Sequence, residues 1–251
     1  MKVSIITVVY NAVSTIDDSI NSVINQTHFP EVEYIIIDGG STDGTLQILN
    51  NYKKYFTVLI SEKDEGIYHA MNKGISLASG DIVGILNADD LYANNTALER
   101  VVNVFRSDQS LDIVYGDLVY VKKTDTDSFV RIWKSCTYYS NFFEDGNVPP
   151  HPSVFIKNAI YMEAGQFNLG FKLAADYEFL LRIFKKFSFK SKYHAAILVK
   201  MRYGGATNKN FRNIILQNIE ILRAWKTNGL NVPILFIFMK IIKRLAQFVR
   251  K

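Results

Sequence analysis

The stretch 84-GILNADDLY-92 sets an apolar, strand-like run directly against an asparagine and two adjacent aspartates, Asp89 and Asp90. Ending a buried strand on paired carboxylates is costly. Like charges repel, and taking either out of water costs several kcal/mol unless a cation or hydrogen-bond donors compensate. The stretch therefore predicts a strand that delivers carboxylates to a sheet edge where something positive is held.

The same pattern precedes it. "KVSIITVVYN" is a β-branched apolar run ending in Asn11, and Ile16, Ile20, Val23 and Ile24 then repeat at helical spacing until His28 and Pro30 break it. Ser14 and Asp17 stand at capping-box spacing before that helix, as do Thr96 and Glu99 further on. "EYIIID" predicts a second strand, "GGSTDG" a tight loop, "TLQILNNYKKY" a helix, "FTVLIS" a third strand and residues 65–79 another helix; "DIVGILN" is the fourth strand. Alternating β and α elements with uninterrupted apolar strands predict an α/β fold, a Rossmann-like, mostly parallel central sheet flanked by helices. Ligands of such sheets bind beyond the carboxyl ends of the strands, which is where residues 10–11, 38–43 and 87–90 fall.

"LDIVYGDLVYV" predicts a further strand, after which periodicity weakens over residues 122–150, a region expected to form loops and short strands over the site. Helical spacing returns in "AADYEFLLRIFKKF" and in residues 211–226. Residues 232–251 predict a basic amphipathic helix: Ile234, Phe238, Ile241, Ile242, Leu245, Phe248 and Val249 share one face, and Lys240, Lys243, Arg244, Gln247, Arg250 and Lys251 the other. Its apolar run is shorter than the roughly 18 residues that span a bilayer, so it is expected to lie in the interface of an anionic membrane, the alternative being a helix packed on its own domain or on another copy.

The 251 residues are 48% hydrophobic, enough for a full core, and the net charge of +5 resides largely in that tail. A general nucleic-acid surface is therefore not expected. The single cysteine, Cys136, excludes an internal disulfide, and no secretory segment opens the sequence, so a cytoplasmic setting is expected.

Asp38, Asp89 and Asp90, all at loops on one sheet edge, suit a hard divalent cation, Mg²⁺ or Mn²⁺, completed by phosphate oxygens. The plainer alternative is that Asp38 and Asp43 cap the turn "DGGSTDG" and that Asp89 or Asp90 caps a helix. Tyr138, Tyr139, Phe142 and Phe143 cluster where they could stack on a sugar, or pack in the core.

The ordered motifs "VSIITVVYN", "IIIDGGSTDGT", "SEKDEGIYHAMNKGISLASGDIVGILNADD", "HPSVFIK" and "LAADYEFLLRI" closely resemble the inverting family 2 glycosyltransferases of GT-A fold, over about residues 1–210. Within the family the sequence looks most like bacterial enzymes that build surface polysaccharides such as O-antigen and capsule. The resemblance implies a catalytic domain over residues 1–231, its nucleotide-sugar half at about 1–117 and its acceptor half at about 118–210, followed by the tail. It implicates Thr7, Val8, Tyr10 and Asp38 in holding the nucleotide, and Asn72 on the donor-side helix beside Lys73. The family's D-x-D metal motif falls on Asn87, Ala88 and Asp89, followed by Asp90. Asn87 contributes no charge, so the metal is expected on Asp89, Asp90 or both. Gly39 stands where a second aspartate is frequent. Asp176 fits the family's catalytic base, with Ala175 in place of the usual preceding acid; read alone, it could be a helix N-terminal residue favoured by the dipole. His151 is implicated toward the acceptor, or in ordering its loop. Arg202 is implicated toward the diphosphate if a hinge at Gly204 and Gly205 closes, and is otherwise an exposed loop arginine.

The function so implied is transfer of a sugar from a nucleotide sugar, UDP-linked, to a lipid-linked saccharide at the inner face of the membrane; homo-oligomers stay open. Two rivals remain. A nucleotidyltransferase would normally carry a Gly-rich basic signature near its first strand, which "TVVYNAVST" lacks. A non-catalytic nucleotide-sugar-binding protein is disfavoured by Asp89, Asp90 and Asp176 and kept alive by Asn87.

Overall fold

In the computed structural model, residues 1–204, 211–233, 236, 239, 240, 242 and 243 are described. Four parallel strands form the first half: β1 (Val3–Val9), β2 (Val32–Asp38), β3 (Val58–Ser61) and β4 (Ile82–Ile85), in the spatial order β3-β2-β1-β4. The helices α1 (Ile16–Ile24), α2 (Thr45–Asn51) and α3 (Ile67–Leu77) are their crossovers. Because successive side chains of a strand point to opposite faces, the continuous apolar runs feed two cores. Ile6, Val8, Ile35 and Ile37 join Met71 and Ile75 of α3 on one face, while Ile5, Val9, Tyr34 and Ile36 meet Ile16, Ile20 and Leu49 on the other. The α3 contact is tight. A Cβ at Gly74 would lie 2.4 Å from Cγ2 of Ile6, so only glycine lets this helix lie so close to β1.

Beyond β4 the sheet changes character. The antiparallel strand β8 (Val154–Lys157) joins β4 to β6 (Ile113–Val121), β6 runs parallel to β9 (Ser191–Arg202), and β9 pairs antiparallel with the short β5 (Asp90–Tyr92). β7 (Phe129–Trp133) forms a hairpin on β6. The parallel expectation thus describes the first four strands, and the second half is mixed. The remaining helices are α4 (Ala97–Ser107), α5 (Asn158–Ala164), α6 (Ala175–Lys185) and α7 (Phe211–Thr227).

Neither expected capping box forms. Thr15 rather than Ser14 is the N-cap of α1 and makes no side-chain cap bond, and Asp17 instead accepts from the Tyr52 hydroxyl at 2.7 Å. Thr96 does occupy the N-cap of α4, but its hydroxyl donates to Asn94 two residues back and Glu99 accepts from the distant Thr27, so other partners outcompete the capping box. The amphipathic tail lies mostly outside the described residues. Of those described, Phe236 is buried against the Trp225 ring, Lys240 donates to Asn218 Oδ1 at 3.0 Å, and Ile242 is exposed. Among the described residues no helix is long and apolar enough to cross a membrane.

Candidate active site

The first two loops are interlocked at the carboxyl ends of β1 and β2. Asn11 adopts a left-handed φ of +49°, its backbone N–H donates to Ser41 Oγ at 2.8 Å, and its Oδ1 accepts from Thr42 N at 2.9 Å. Asp38 is fully buried, accepting from Ser61 Oγ at 2.6 Å, from Ser41 N and from the Ser41 hydroxyl. Its carboxylate thus orders the turn, as does that of Asp43, which accepts from Thr45 N at 3.0 Å. Thr7 and Val8 are enclosed within β1, Thr7 sharing a 3.3 Å hydrogen bond with the Tyr34 hydroxyl; neither side chain reaches the surface. Tyr10 does, with 66% of its surface exposed beside Gly39.

Gly39 has a local reason. A Cβ there would meet the Tyr10 ring at 3.4 Å and lie 3.7 Å from Oδ2 of Asp64. A second aspartate at 39 would set like charges together, and Asp64 already supplies the carboxylate. Asp64 Oδ1 accepts from Lys73 Nζ at 2.7 Å and contacts His69 Nδ1 at 3.0 Å, while its buried Oδ2 has no hydrogen-bond partner. Reading the motif "SEKDEG" without singling out its acid missed this group. Lys73 is thereby an ion-pair partner of Asp64 and Glu62.

The stretch 84–92 is the end of β4, a turn and the short β5, so its aspartates lie at the turn and at the start of a second strand rather than at the end of one strand. Asp90 is fully buried at the start of β5, Asn87 donates to its Oδ2 at 3.0 Å, and Asn87 Oδ1 and Asp90 Oδ1 are buried without partners. Burial pushes the Asp90 carboxyl well above the usual carboxylate range, and the charge of Asp89 adds to that push. Asp89 is only partly buried. Burial raises its carboxyl too, with Arg202 and Lys123 pulling the other way. Two cations therefore stand near the one carboxylate of this turn that solvent reaches.

Arg202 is not an exposed loop arginine. It is 4% exposed at the end of β9, where Nη1 donates to the Asp89 carbonyl at 3.0 Å, Nε to the Lys123 carbonyl at 3.1 Å and Nη2 to Asp18. Its fork binds the Asp89 backbone from behind, leaving the guanidinium engaged on three sides. Of the proposed hinge, Gly204 has a φ of +109°, and Gly205 lies outside the described residues.

Asp176, second residue of α6, accepts from the Tyr68 hydroxyl of α3 at 3.0 Å. His151 opens a 3₁₀ turn before β8, and its ring meets Phe167 edge-on at 5.5 Å. Burial lowers the imidazole below its usual range while the nearby Asp176 charge opposes that. Asn72 is engaged with the chain's own backbone. Its amide donates to the Phe167 carbonyl at 2.9 Å and accepts from Phe167 N at 3.0 Å, so it stitches α3 to the acceptor half. Glu220 of α7 accepts from the backbone N–H groups of Lys172, Leu173 and Ala174, which lead into α6. Tyr68 and Glu220 were not legible as site residues, because their partners lie 108 and roughly 46 positions away in sequence. Phe142 and Phe143 are core residues, fully buried, and Tyr138 donates to the Phe184 carbonyl at 2.9 Å.

Among the described residues no cluster of three or more histidine, cysteine, aspartate or glutamate side chains could by itself hold a metal ion. A divalent ion here would need ligand oxygens as well, the manner in which Mg²⁺ is commonly held beside phosphates. The hard oxygen of Asp89 suits such a sharing.

The family description "Glycosyl transferase family 2" matches residues 4–160. A "PGL/p-HBAD biosynthesis glycosyltransferase" of Mycobacterium tuberculosis is 28% identical over 209 residues, covering 82% of this chain and 78% of that protein. Among solved structures, S. aureus TarS 1–349 in complex with UDP-GlcNAc superposes with a TM-score of 0.67 at 17% identity, covering 98% of this chain and 73% of that one; the chain spans 43% of a longer TarS chain. The mannosyltransferase PcManGT of Pyrobaculum calidifontis, in complex with GDP-Man and Mn²⁺, also gives 0.67, at 16% identity and with the same coverage. The fold is GT-A, and the chain belongs to glycosyl transferase family 2.

Proposed function

We propose that this glycosyltransferase inverts configuration, moving a sugar from a UDP-sugar to a hydroxyl of a lipid-linked saccharide in the synthesis of a bacterial surface polysaccharide. The observation that carries the reading is the Asp176 carboxylate, partly exposed at the start of α6 and bound by Tyr68 through one oxygen only. Its other oxygen, Oδ2, would take the acceptor proton as the acceptor oxygen attacks the anomeric carbon. One displacement inverts that centre. In the same displacement the bond from the anomeric carbon to the diphosphate oxygen breaks, and the charge left on the diphosphate requires compensation. Asp89 is the residue proposed to hold Mn²⁺ or Mg²⁺ there, since Asp90 is sealed inside. When bound, the cation would offset the charge of the leaving diphosphate.

The remaining assignments follow the layout of the edge. Tyr10, exposed beside Gly39 and Asp64, flanks the nucleotide, and His151, close to Asp176, faces the acceptor. Arg202 serves the diphosphate through the Asp89 backbone it grips. The UDP choice is supported by the UDP-GlcNAc complex of TarS, and a biosynthetic role in glycosylation by the mycobacterial PGL/p-HBAD biosynthesis glycosyltransferase. The tail is proposed to lie on anionic lipid at the inner face of the plasma membrane, its basic residues attracted by the headgroups.

The reading is tested by Mn²⁺-dependent UDP release from a panel of UDP-sugars, which the protein should support for at least one donor. Total inactivity with retained UDP binding would favour the non-catalytic alternative. For the tail, removal of residues 244–251 should reduce sedimentation with anionic liposomes; unchanged sedimentation would refute the membrane role.

A further inference from the structure

We propose that Tyr68 and Glu220 are positioning residues that together aim Asp176, Tyr68 by fixing which carboxylate oxygen faces the acceptor and Glu220 by fixing the backbone that presents it. This rests on the reading of Asp176 as the base.

α6 begins without a side-chain cap of its own. Ala174, its N-cap, has no side-chain oxygen, so no local side chain anchors the start of the helix, and the backbone just before it is held from elsewhere. Glu220 satisfies three in succession: Oε1 accepts from Lys172 N at 2.9 Å, and Oε2 from Leu173 N at 2.8 Å and Ala174 N at 3.0 Å. A carboxylate bridging three consecutive donors holds that backbone through charge-assisted bonds. Asp176 lies two residues beyond the last of them. The base is therefore aimed from α7, an element distant in sequence from α6.

Tyr68 acts on the carboxylate itself. Its hydroxyl donates to Oδ1 at 3.0 Å and leaves Oδ2 without a protein donor among the described residues. Burial, together with the Asp176 charge, holds the phenol well above its usual range, so Tyr68 remains a donor throughout the pH range in which Asp176 can act. Tyr68 sits one turn before Asn72 on α3, and Asn72 binds both backbone groups of Phe167. α3 also carries His69 and Lys73, which hold Asp64 at the nucleotide edge. One helix thus connects the donor edge to the base. The titratable groups around Asp176 are Tyr68 on α3, His151 before β8 and Glu220 on α7.

The test compares wild type, Tyr68→Phe, Glu220→Gln and Asp176→Asn in Mn²⁺-dependent hydrolysis of UDP-GlcNAc, UDP-glucose and UDP-galactose, with UDP affinity measured by calorimetry. Tyr68→Phe, which keeps the ring, should lower kcat roughly tenfold or more while UDP affinity stays within about twofold. The acidic limb of its kcat/KM profile should move to higher pH, because the lost donor favoured the ionised carboxylate. Glu220→Gln should also lower kcat at unchanged UDP affinity, with the limb moving the other way as a nearby negative charge is removed. It should also speed hydrogen exchange over residues 172–176. An unchanged kcat and pH profile in Tyr68→Phe, or UDP affinity falling in step with kcat in both variants, would overturn the positioning role while leaving the base reading intact. Asp176→Asn that still turns over donor, or a wild type that hydrolyses none of the three, would instead remove the reading on which the inference rests.

Discussion

Asn87 donates from its side-chain amide to Oδ2 of Asp90 at 3.0 Å, inside the turn that joins β4 to β5. The bond explains the departure from a D-x-D pattern. An aspartate at 87 would set a second carboxylate against a buried one, where neither is solvated. Asn87→Asp is therefore predicted to destabilise the fold at pH 8 by roughly 1–3 kcal/mol, read by urea denaturation. An unaltered midpoint would refute this account of position 87.

The same turn separates the roles of its two aspartates. Burial raises the Asp90 carboxyl, so its proton favours the fold, and its contribution falls as pH rises beyond the ordinary carboxylate range. Asp90→Asn removes that cost and should match or exceed wild-type stability at pH 8. It should leave Mn²⁺-dependent UDP binding near normal, whereas Asp89→Asn should weaken it tenfold or more by calorimetry. The reverse ranking would place the metal on Asp90.

Arg202 offers a prediction that separates support from direct contact. Lysine cannot reproduce a planar fork directed at the carbonyls of Asp89 and Lys123 and at Asp18. Arg202→Lys should cost about 1–3 kcal/mol of stability and weaken Mn²⁺-dependent UDP binding together, because the partly buried carbonyls of Asp89 and Lys123 lose donors. Weakened binding at full stability would instead indicate that the guanidinium meets the diphosphate.

A pH-dependent term lies far from the site. Burial acts to raise the Glu33 carboxyl, but Lys2, Ser4 and Ser79 outweigh it and hold the group down at about 2. A depressed acid stabilises the fold above its unfolded pKa, and that share is lost as pH falls from about 4.5 towards 2. Comparison of wild type with Glu33→Gln by urea denaturation should show a difference of up to about 3 kcal/mol at pH 7 that shrinks below pH 4.5. A difference independent of pH would contradict the assignment.

What the sequence disclosed, and what it hid, follows from range. The continuous apolar runs and period-3.6 patterns of residues 1–90 located β1–β4 and α1–α3, because parallel strands are buried on both faces. The antiparallel insertion of β8 between β4 and β6 left no local trace, since strand order depends on packing among distant segments. At the site, strand-end acids such as Asp38 and Asp89 were visible by position. Their division of labour was not: whether a carboxylate orders its own turn, as Asp38 does through Ser41 and Ser61, or faces solvent depends on contacts made only in the fold. Thr7 shows the same limit, its hydroxyl turned inward to Tyr34.

The central claim is that Asp176 takes the acceptor proton. Its most direct test is Asp176→Asn, assayed for turnover of the donor that the wild type uses and for Mn²⁺-dependent UDP binding by calorimetry. The account predicts UDP affinity within about twofold of wild type and turnover reduced by roughly a hundredfold or more, the scale of a lost general base. Near-normal turnover by Asp176→Asn would contradict it.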